Sequence, residues 1–430
     1  MLVIQHKPRL VFVSPVFLFP NDAGGKIRTT NMLRGLKGGQ FHLVLLSPAD
    51  EGQQQRWARE LGGVCDEFVA WEPSAARPKW LRFLDLARAL PVNVIVDQSE
   101  AGVAAVAAAT SANADLVVFD FVHAAVLRPP SLACASVCFT HNVEAEIFGR
   151  HADKAGNVLK RWMWGSQHTK MLRYEQSALA RFTSVVAVSE RDAVFFRDSY
   201  HLPDVRTVPT GVDLDFFHWK PPAPFSHLQP PTVVFTGSMD WAANIDGVHF
   251  FLKQIWPLVL SGQPDARFVV VGRNPPDTLV ALARATVGVQ FTGWVEDVRD
   301  YVHAAQVFVI PLLVGGGTRI KAFEAMAMGC PIVSTTIGTE GLGADPRIHF
   351  CEHDDAVGFA QAILELLRNS ELRDALSRRA RQLVEQRFGH QVAAAEFERI
   401  CLDALAMHNK QATGRSPLAT TMASVAESCP

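Results

Sequence analysis

The segment Val314-Gly315-Gly316-Gly317-Thr318-Arg319-Ile320-Lys321-Ala322-Phe323-Glu324 places a glycine run, two cations and a carboxylate side by side. It follows the apolar run Val307–Pro311, so a glycine-rich loop is expected to lead from the carboxyl end of a strand into a helix. Backbone amides at such a helix N-terminus can hold a diphosphate. On the helix Gly317, Lys321 and Glu324 share one face, because residues three and four apart are neighbours. An ammonium one turn in and a carboxylate two turns in suit a ligand that carries phosphates and then a diol. Arg319 lies about 200° round from Lys321 on an ideal helix, so it reaches the same ligand only if it still belongs to the loop. The plain alternative is a solvated Lys–Glu surface pair.

A second candidate is the turn Asp22-Ala23-Gly24-Gly25-Lys26, between an apolar run and a helical pattern. It has neither the spacing of a dinucleotide-binding Gly-x-Gly-x-x-Gly nor the upstream glycine of a P-loop. Bare amides opening a helix suit an anionic or sugar ligand; an ordinary strand–helix turn explains the glycines equally well. His141 and His123 each follow a strand-like run, and His141 is the preferred ligand-contacting group. Glu340, in Gly338-Thr339-Glu340-Gly341-Leu342, follows another and is a candidate for sugar hydroxyls, or a turn residue.

These residues need a scaffold of strand ends. Short, β-branched, unalternated runs are expected for strands buried on both faces of a parallel sheet. They occur at Leu10–Val13, Leu43–Leu46, Leu116–Phe119, Val137–Thr140 and Val185–Val188, and again at Val233–Thr236, Phe268–Val271, Val307–Pro311, Ile332–Ser334 and Ile348–Phe350. Helical patterns lie between them, including Ile27–Leu36, Lys79–Leu90, Asp246–Leu260 and Arg319–Met328. The expected class is α/β, with two doubly wound, Rossmann-like domains facing a cleft. Seven prolines between Leu202 and Pro231 predict an interdomain linker over 203–231. The expected domains are therefore 1–202 and 232–390, followed by a helix at 391–407 and a disordered tail at 408–430.

Composition narrows the field. The 430 residues carry 41 Lys and Arg against 43 Asp and Glu, which offers no basic field for nucleic acid. No apolar run reaches membrane-spanning length, and Met1–Phe19 reads as a first strand rather than a signal peptide. Seven scattered cysteines without a Cys-x-x-Cys pair argue against structural zinc and disulfides, and point to a cytoplasmic chain.

Four landmarks together resemble the GT4-type retaining glycosyltransferases, which have the GT-B fold. They are Gly24-Gly25, the stretch Val208-Pro209-Thr210-Gly211-Val212-Asp213-Leu214-Asp215-Phe216-Phe217, the run Phe323 to Ser334, and Arg387-Phe388 opening a last helix. The resemblance implies that this helix crosses back to the first domain, that the second domain holds the nucleotide, and that Glu324 holds ribose hydroxyls. It places a histidine near the transferred sugar, matched by His141, and implies a leaving diphosphate stabilised without metal or other cofactor. Asp213-Leu214-Asp215 then belongs to the linker and is not a metal site. The donor-side set becomes Gly24, Gly25, Gly237, Ser238, Gly317, Thr318, Arg319, Lys321, Glu324 and Glu340. Catalytic roles fall to His141, Lys321 and Glu324.

Two departures stand out. The first of the family's two donor-motif glutamates falls at Gly316, and the family's Arg and Lys after the first strand of the second domain are absent from Thr236–Asn244. The chain resembles a subgroup with a Gly-Thr-Arg-x-Lys segment, in which Arg319 and Lys321 supply the lost charge. The expected function is transfer of a sugar from a nucleotide-sugar donor to a glycan or lipid-linked acceptor. A non-catalytic nucleotide-sugar-binding relative or partner subunit and a nucleotide-sugar epimerase stand beside it. The basic–aromatic stretches Arg150–Tyr174 and Arg77–Leu84, the latter followed by Arg88, add an expectation of peripheral docking on an anionic membrane surface, against a packed-tryptophan alternative.

Overall fold

In the computed structural model the apolar runs become two parallel sheets; residues 7–74, 82–153, 155–222, 230–314 and 319–414 are described. The first sheet contains β1 (Arg9–Val13), β2 (His42–Pro48), β3 (Glu67–Trp71), β4 (Leu116–Asp120), β5 (Ala135–Phe139), β6 (Ser184–Ala187) and β7 (Val205–Thr207). The second contains β8 (Thr232–Thr236), β9 (Arg267–Val271), β10 (Val289–Gly293), β11 (Val307–Ile310), β12 (Ile332–Ser334) and β13 (Cys351–Glu352). Their orders are β3-β2-β1-β4-β5-β6-β7 and β10-β9-β8-β11-β12-β13, with every pairing parallel.

Each sheet is apolar on both faces. On β1, Leu10 and Phe12 pack into one core while Val11 and Val13 pack into another. On β8, Val233 and Phe235 face one core and Val234 the other. Strand order reverses between β1 and β4, and between β8 and β11. Such switch points leave a crevice beyond the strand ends, where ligands of open α/β sheets bind.

The edge strands β3, β7 and β10 were not legible as apolar runs because they are only half-buried. The proline-rich linker expected over 203–231 therefore needs correction: Val205–Thr207 is the last strand of the first sheet. Val208 still packs in the first domain's core, whereas Val212 and Phe217 pack in the second's. The chain crosses in the few residues between them. It crosses again at Gly389, where Val212 N–H donates to the Phe388 carbonyl (2.8 Å) and His390 N–H donates to that of Val212 (2.9 Å). A Cβ on Gly211 would sit 2.6 Å from His390 Cα, so the paired crossing requires glycine there.

The helix His390–Gly414 then lays Ala393, Ala394, Phe397, Ile400, Cys401 and Ala404 into the first core. It is longer than the expected 391–407: residues 408–414, assigned to a disordered tail, continue it, and the rest of that tail lies outside the described residues. Of the expected helix Lys79–Leu90, residues 79–81 also lie outside the described residues, and a short helix, Arg82–Asp85, follows. The strand expected at Ile348–Phe350 forms at Cys351–Glu352 instead. The longest first-domain helix, Val158–Leu179, gave no apolar signal because little of it is buried.

Candidate active site

The helix Ile320–Met328 starts one residue later than the pattern suggested. Arg319 is its N-cap, with extended φ −83° and ψ 93°, so it does belong to the loop. Gly315 to Thr318, including the candidates Gly317 and Thr318, lie outside the described residues. Arg319 is buried, with its guanidinium over the Trp241 ring at 5.8 Å. Burial pulls it down to about 10, opposed by Glu340.

One turn into that helix, Lys321 Nζ donates to Asn244 Oδ1 (3.1 Å) and lies 4.2 Å from the centre of the Phe235 ring. Phe235 belongs to β8, so the ammonium sits at the end of that strand. Burial lowers it to about 7, Arg319 adds to the effect, and Glu324 opposes it. Glu324, a further turn along, is raised to about 7 by burial, partly offset by Lys321. The turn Gly237-Ser238 completes this wall. Ser238 Oγ donates to Asp240 (2.8 Å), which also accepts from Arg273 Nε (3.1 Å).

The facing wall belongs to the first domain. Gly24 and Gly25 open the helix Gly24–Leu36, which has no side-chain cap and no acidic residue in its first turn. The helix Ile320–Met328 has the same two properties. A Cβ on Gly24 would lie 3.6 Å from Ile320 Cδ1, so two helix N-termini meet across the cleft. A Cβ on Gly25 would come within 2.6 Å of Phe121 Cζ, so that position has no room for a side chain.

Below the turn, at the ends of β4 and β5, His141 is buried with Nε2 2.7 Å from Asp120 Oδ1. Thr29 Oγ1 donates to the other Asp120 oxygen (2.7 Å), and Arg28 donates to the His141 carbonyl (3.3 Å) and to Thr210 Oγ1 (2.6 Å). Burial holds the His141 imidazole below its ordinary value despite Asp120. Asp120 therefore accepts from Nε2–H of a neutral ring, leaving Nδ1, which has no hydrogen-bond partner among the described residues, as the ring's acceptor atom. Phe121 stacks on His141 at 3.6 Å between ring centres and on His123 at 4.9 Å. The competitor His123 is paired with Asp97; burial lowers its pKa, but that contact outweighs it and the net shift is upward.

Glu340 is placed differently from a free sugar-binding carboxylate. It accepts two bonds from Arg150 (2.9 and 3.1 Å) and lies 3.4 Å from Arg191 Nε, so it joins the two domains. On the other side, Asp22 beside the Gly-Gly turn pairs with Arg273 (3.1 Å). Burial favours the neutral acid, but Arg273 and Lys26 hold Asp22 below the usual range.

The geometry thus brings together Gly24, Gly25, Gly237, Arg319, Lys321 and Glu324, with His141 beneath the first-domain turn. Asn244, Asp120, Thr29, Phe121 and Arg273 escaped sequence reasoning. An aspartate directly after the buried run Leu116–Phe119 was a usable signal for Asp120. Nothing local marked Asn244, whose role depends on Lys321, 77 positions away. Among the described residues no three His, Cys, Asp or Glu side chains form a metal cluster.

The two facing parallel-sheet domains define the GT-B fold, which the chain shares with sucrose-phosphate synthase from Thermosynechococcus elongatus (TM-score 0.70, 16% identity, 93% of this chain and 100% of that one). Anabaena HepE, solved in complex with UDP and glucose, matches with TM-score 0.64 and 13% identity over 91% of this chain and 99% of that one. Residues 230–369 match the family of glycosyl transferases group 1. Phosphatidyl-myo-inositol mannosyltransferase of Mycolicibacterium smegmatis is 28% identical over 202 residues, 46% of this chain and 51% of that protein. The chain spans about half the length, or less, of the curated relatives it matches.

Proposed function

We propose that this protein is a GT4-type glycosyltransferase that moves a sugar from a nucleotide diphosphate donor to a glycan or lipid-linked acceptor with retention. The observation that carries the reading is the meeting of two uncapped helix N-termini at both switch points, beside Lys321 and Arg319. Two positive dipole ends and two cations suit a diphosphate. Lys321 and Arg319 hold it, with the turn Gly237-Ser238 beside them. Glu324 accepts from the ribose hydroxyls, and His141, fixed by Asp120 beneath the Gly24-Gly25 turn, backs the wall that meets the transferred sugar. These fixed charges stabilise the leaving diphosphate without a metal. The UDP held by HepE and the lipid-acceptor name of the mannosyltransferase relative support both substrate classes.

A thermal-shift series with UDP, GDP and ADP tests the reading, since a ligand of the native state raises its stability by RT ln(1 + [L]/Kd). One nucleotide should raise the midpoint. Transfer with its sugar should survive EDTA and fall at least tenfold in Glu324→Gln. No shift with any of the three, or full activity in Glu324→Gln, would refute the donor site.

Peripheral membrane docking remains part of the proposal, on a smaller surface than the sequence suggested. Trp164 packs on Phe148 and His151, Met171 is fully buried, and Arg150 faces Glu340. Lys154 and residues 77–81 lie outside the described residues. What supports docking is the tip of the helix Val158–Leu179, where Val158, Leu159 and Trp162 are 81%, 74% and 72% exposed beside exposed Lys160 and Arg161. Apolar side chains flanked by cations suit an anionic leaflet. Among the described residues no helix is long and apolar enough to cross a membrane. The wild type should sediment with anionic liposomes at low salt and Trp162→Glu should not; equal recovery of both in the supernatant would reject docking.

A further inference from the structure

We propose that Asn244 is the positioning residue of the donor site, fixing the Lys321 ammonium over the Gly237-Ser238 turn where a diphosphate would be held. The inference rests on the donor-site reading above and adds a residue to it. Asn244 lies in the helix Ala242–Phe250 and is 4% exposed. Its Nδ2 donates to the Ser238 carbonyl (2.7 Å) and its Oδ1 accepts from Lys321 Nζ (3.1 Å). This orientation is dictated by chemistry, because a carbonyl can only accept and an ammonium can only donate. One side chain thus ties the turn after β8 to the helix after β11, across the switch point.

The ammonium fits there because position 237 lacks a side chain. A Cβ on Gly237 would lie 2.7 Å from Lys321 Nζ and 2.8 Å from Asn244 Nδ2. Lys321 is held by a neutral amide and an aromatic face, with no carboxylate in ion-pair contact among the described residues. An amide orients a cation while leaving its charge available to an anionic ligand. An aspartate at the same position would neutralise it, and an apolar residue would release it. The turn is secured on its other side by Asp240, which accepts from Arg273 and Asn274. The missing basic residues of this turn are thus answered by a cation from another helix and an amide that aims it.

A double-mutant cycle reads this role. UDP and GDP binding is measured by calorimetry for wild type, Asn244→Leu, Lys321→Met and the double variant. Asn244→Leu should weaken binding about tenfold in the wild-type background and have no further effect beside Lys321→Met. Equal effects in both backgrounds would make Asn244 only a loop support, and no effect in the wild type would remove it from the site; either overturns the proposal. If Asn244→Leu does not fold, Asn244→Asp carries the test. Its carboxylate should pair with Lys321 and weaken UDP binding about tenfold, and unchanged affinity would overturn the assignment. Failure of the wild type to bind either nucleotide would instead overturn the donor-site reading and this assignment with it.

Discussion

Lys321→Met should weaken nucleoside diphosphate binding about ten- to a hundredfold, the loss expected for a charge-assisted hydrogen bond in a partly dry site. Binding by the wild type should also take up a proton. In the free chain, burial and neighbouring Arg319 hold Lys321 near 7, with Glu324 opposing, so above that pH much of it is neutral. A diphosphate stabilises the ammonium and raises its pKa. The bound state then carries more protons than the free state between the two values, and affinity falls as pH rises through that window. Between about pH 7.5 and 9, Kd should rise by up to about tenfold per unit. Glu324 is itself raised to about 7 by burial, so it is about three-quarters ionised at pH 7.5 and its titration fades toward pH 9. Calorimetry in two buffers of different ionisation enthalpy reads the proton directly. The slope should persist in Glu324→Gln and vanish in Lys321→Met; a flat wild-type profile would exclude Lys321 as the phosphate contact.

Asp120→Ala should lower stability by about 3–5 kcal/mol, the usual consequence of removing one member of a buried polar or charged pair. Three groups lose their anchor together. His141 Nε2 and Thr29 Oγ1 lose their acceptor, and buried Arg28, which burial lowers to about 10 against Asp120 and Asp192, loses a counter-charge. All three lie beneath the Gly24-Gly25 turn, so the damage should reach the cleft as well as the first core. Urea unfolding followed in the first transition measures it, since two domains need not melt as one. Asp120→Asn keeps the shape and an acceptor oxygen, and should cost less stability than Asp120→Ala. A loss below about 1 kcal/mol in Asp120→Ala would mean that water replaces the carboxylate.

What was local was legible in the sequence. The unalternated runs announced parallel strands because both faces of each central strand are buried. Lys321 and Glu324 could be paired as neighbours from helical periodicity alone. Half-exposed edge strands and the polar helix Val158–Leu179 lacked that signal, since solvent-facing positions tolerate any pattern. Arg319 could be assigned to loop or helix only once its backbone was seen.

The tertiary structure alone decided which distant residues meet. Asn244 reaches Lys321, Asp120 reaches Thr29 and His141, and Arg150 reaches Glu340 across separations of 77, 91, 21 and 190 residues. No periodicity encodes such contacts, because they depend on strand order and on how the chain crosses twice between the domains. Glu340 illustrates the difference. Its place after a strand suggested a carboxylate open to sugar, whereas the facing domain supplies two arginines that claim it. A side chain's type and its place on a strand or helix are properties of the sequence; its partner is settled by the packing of the other domain.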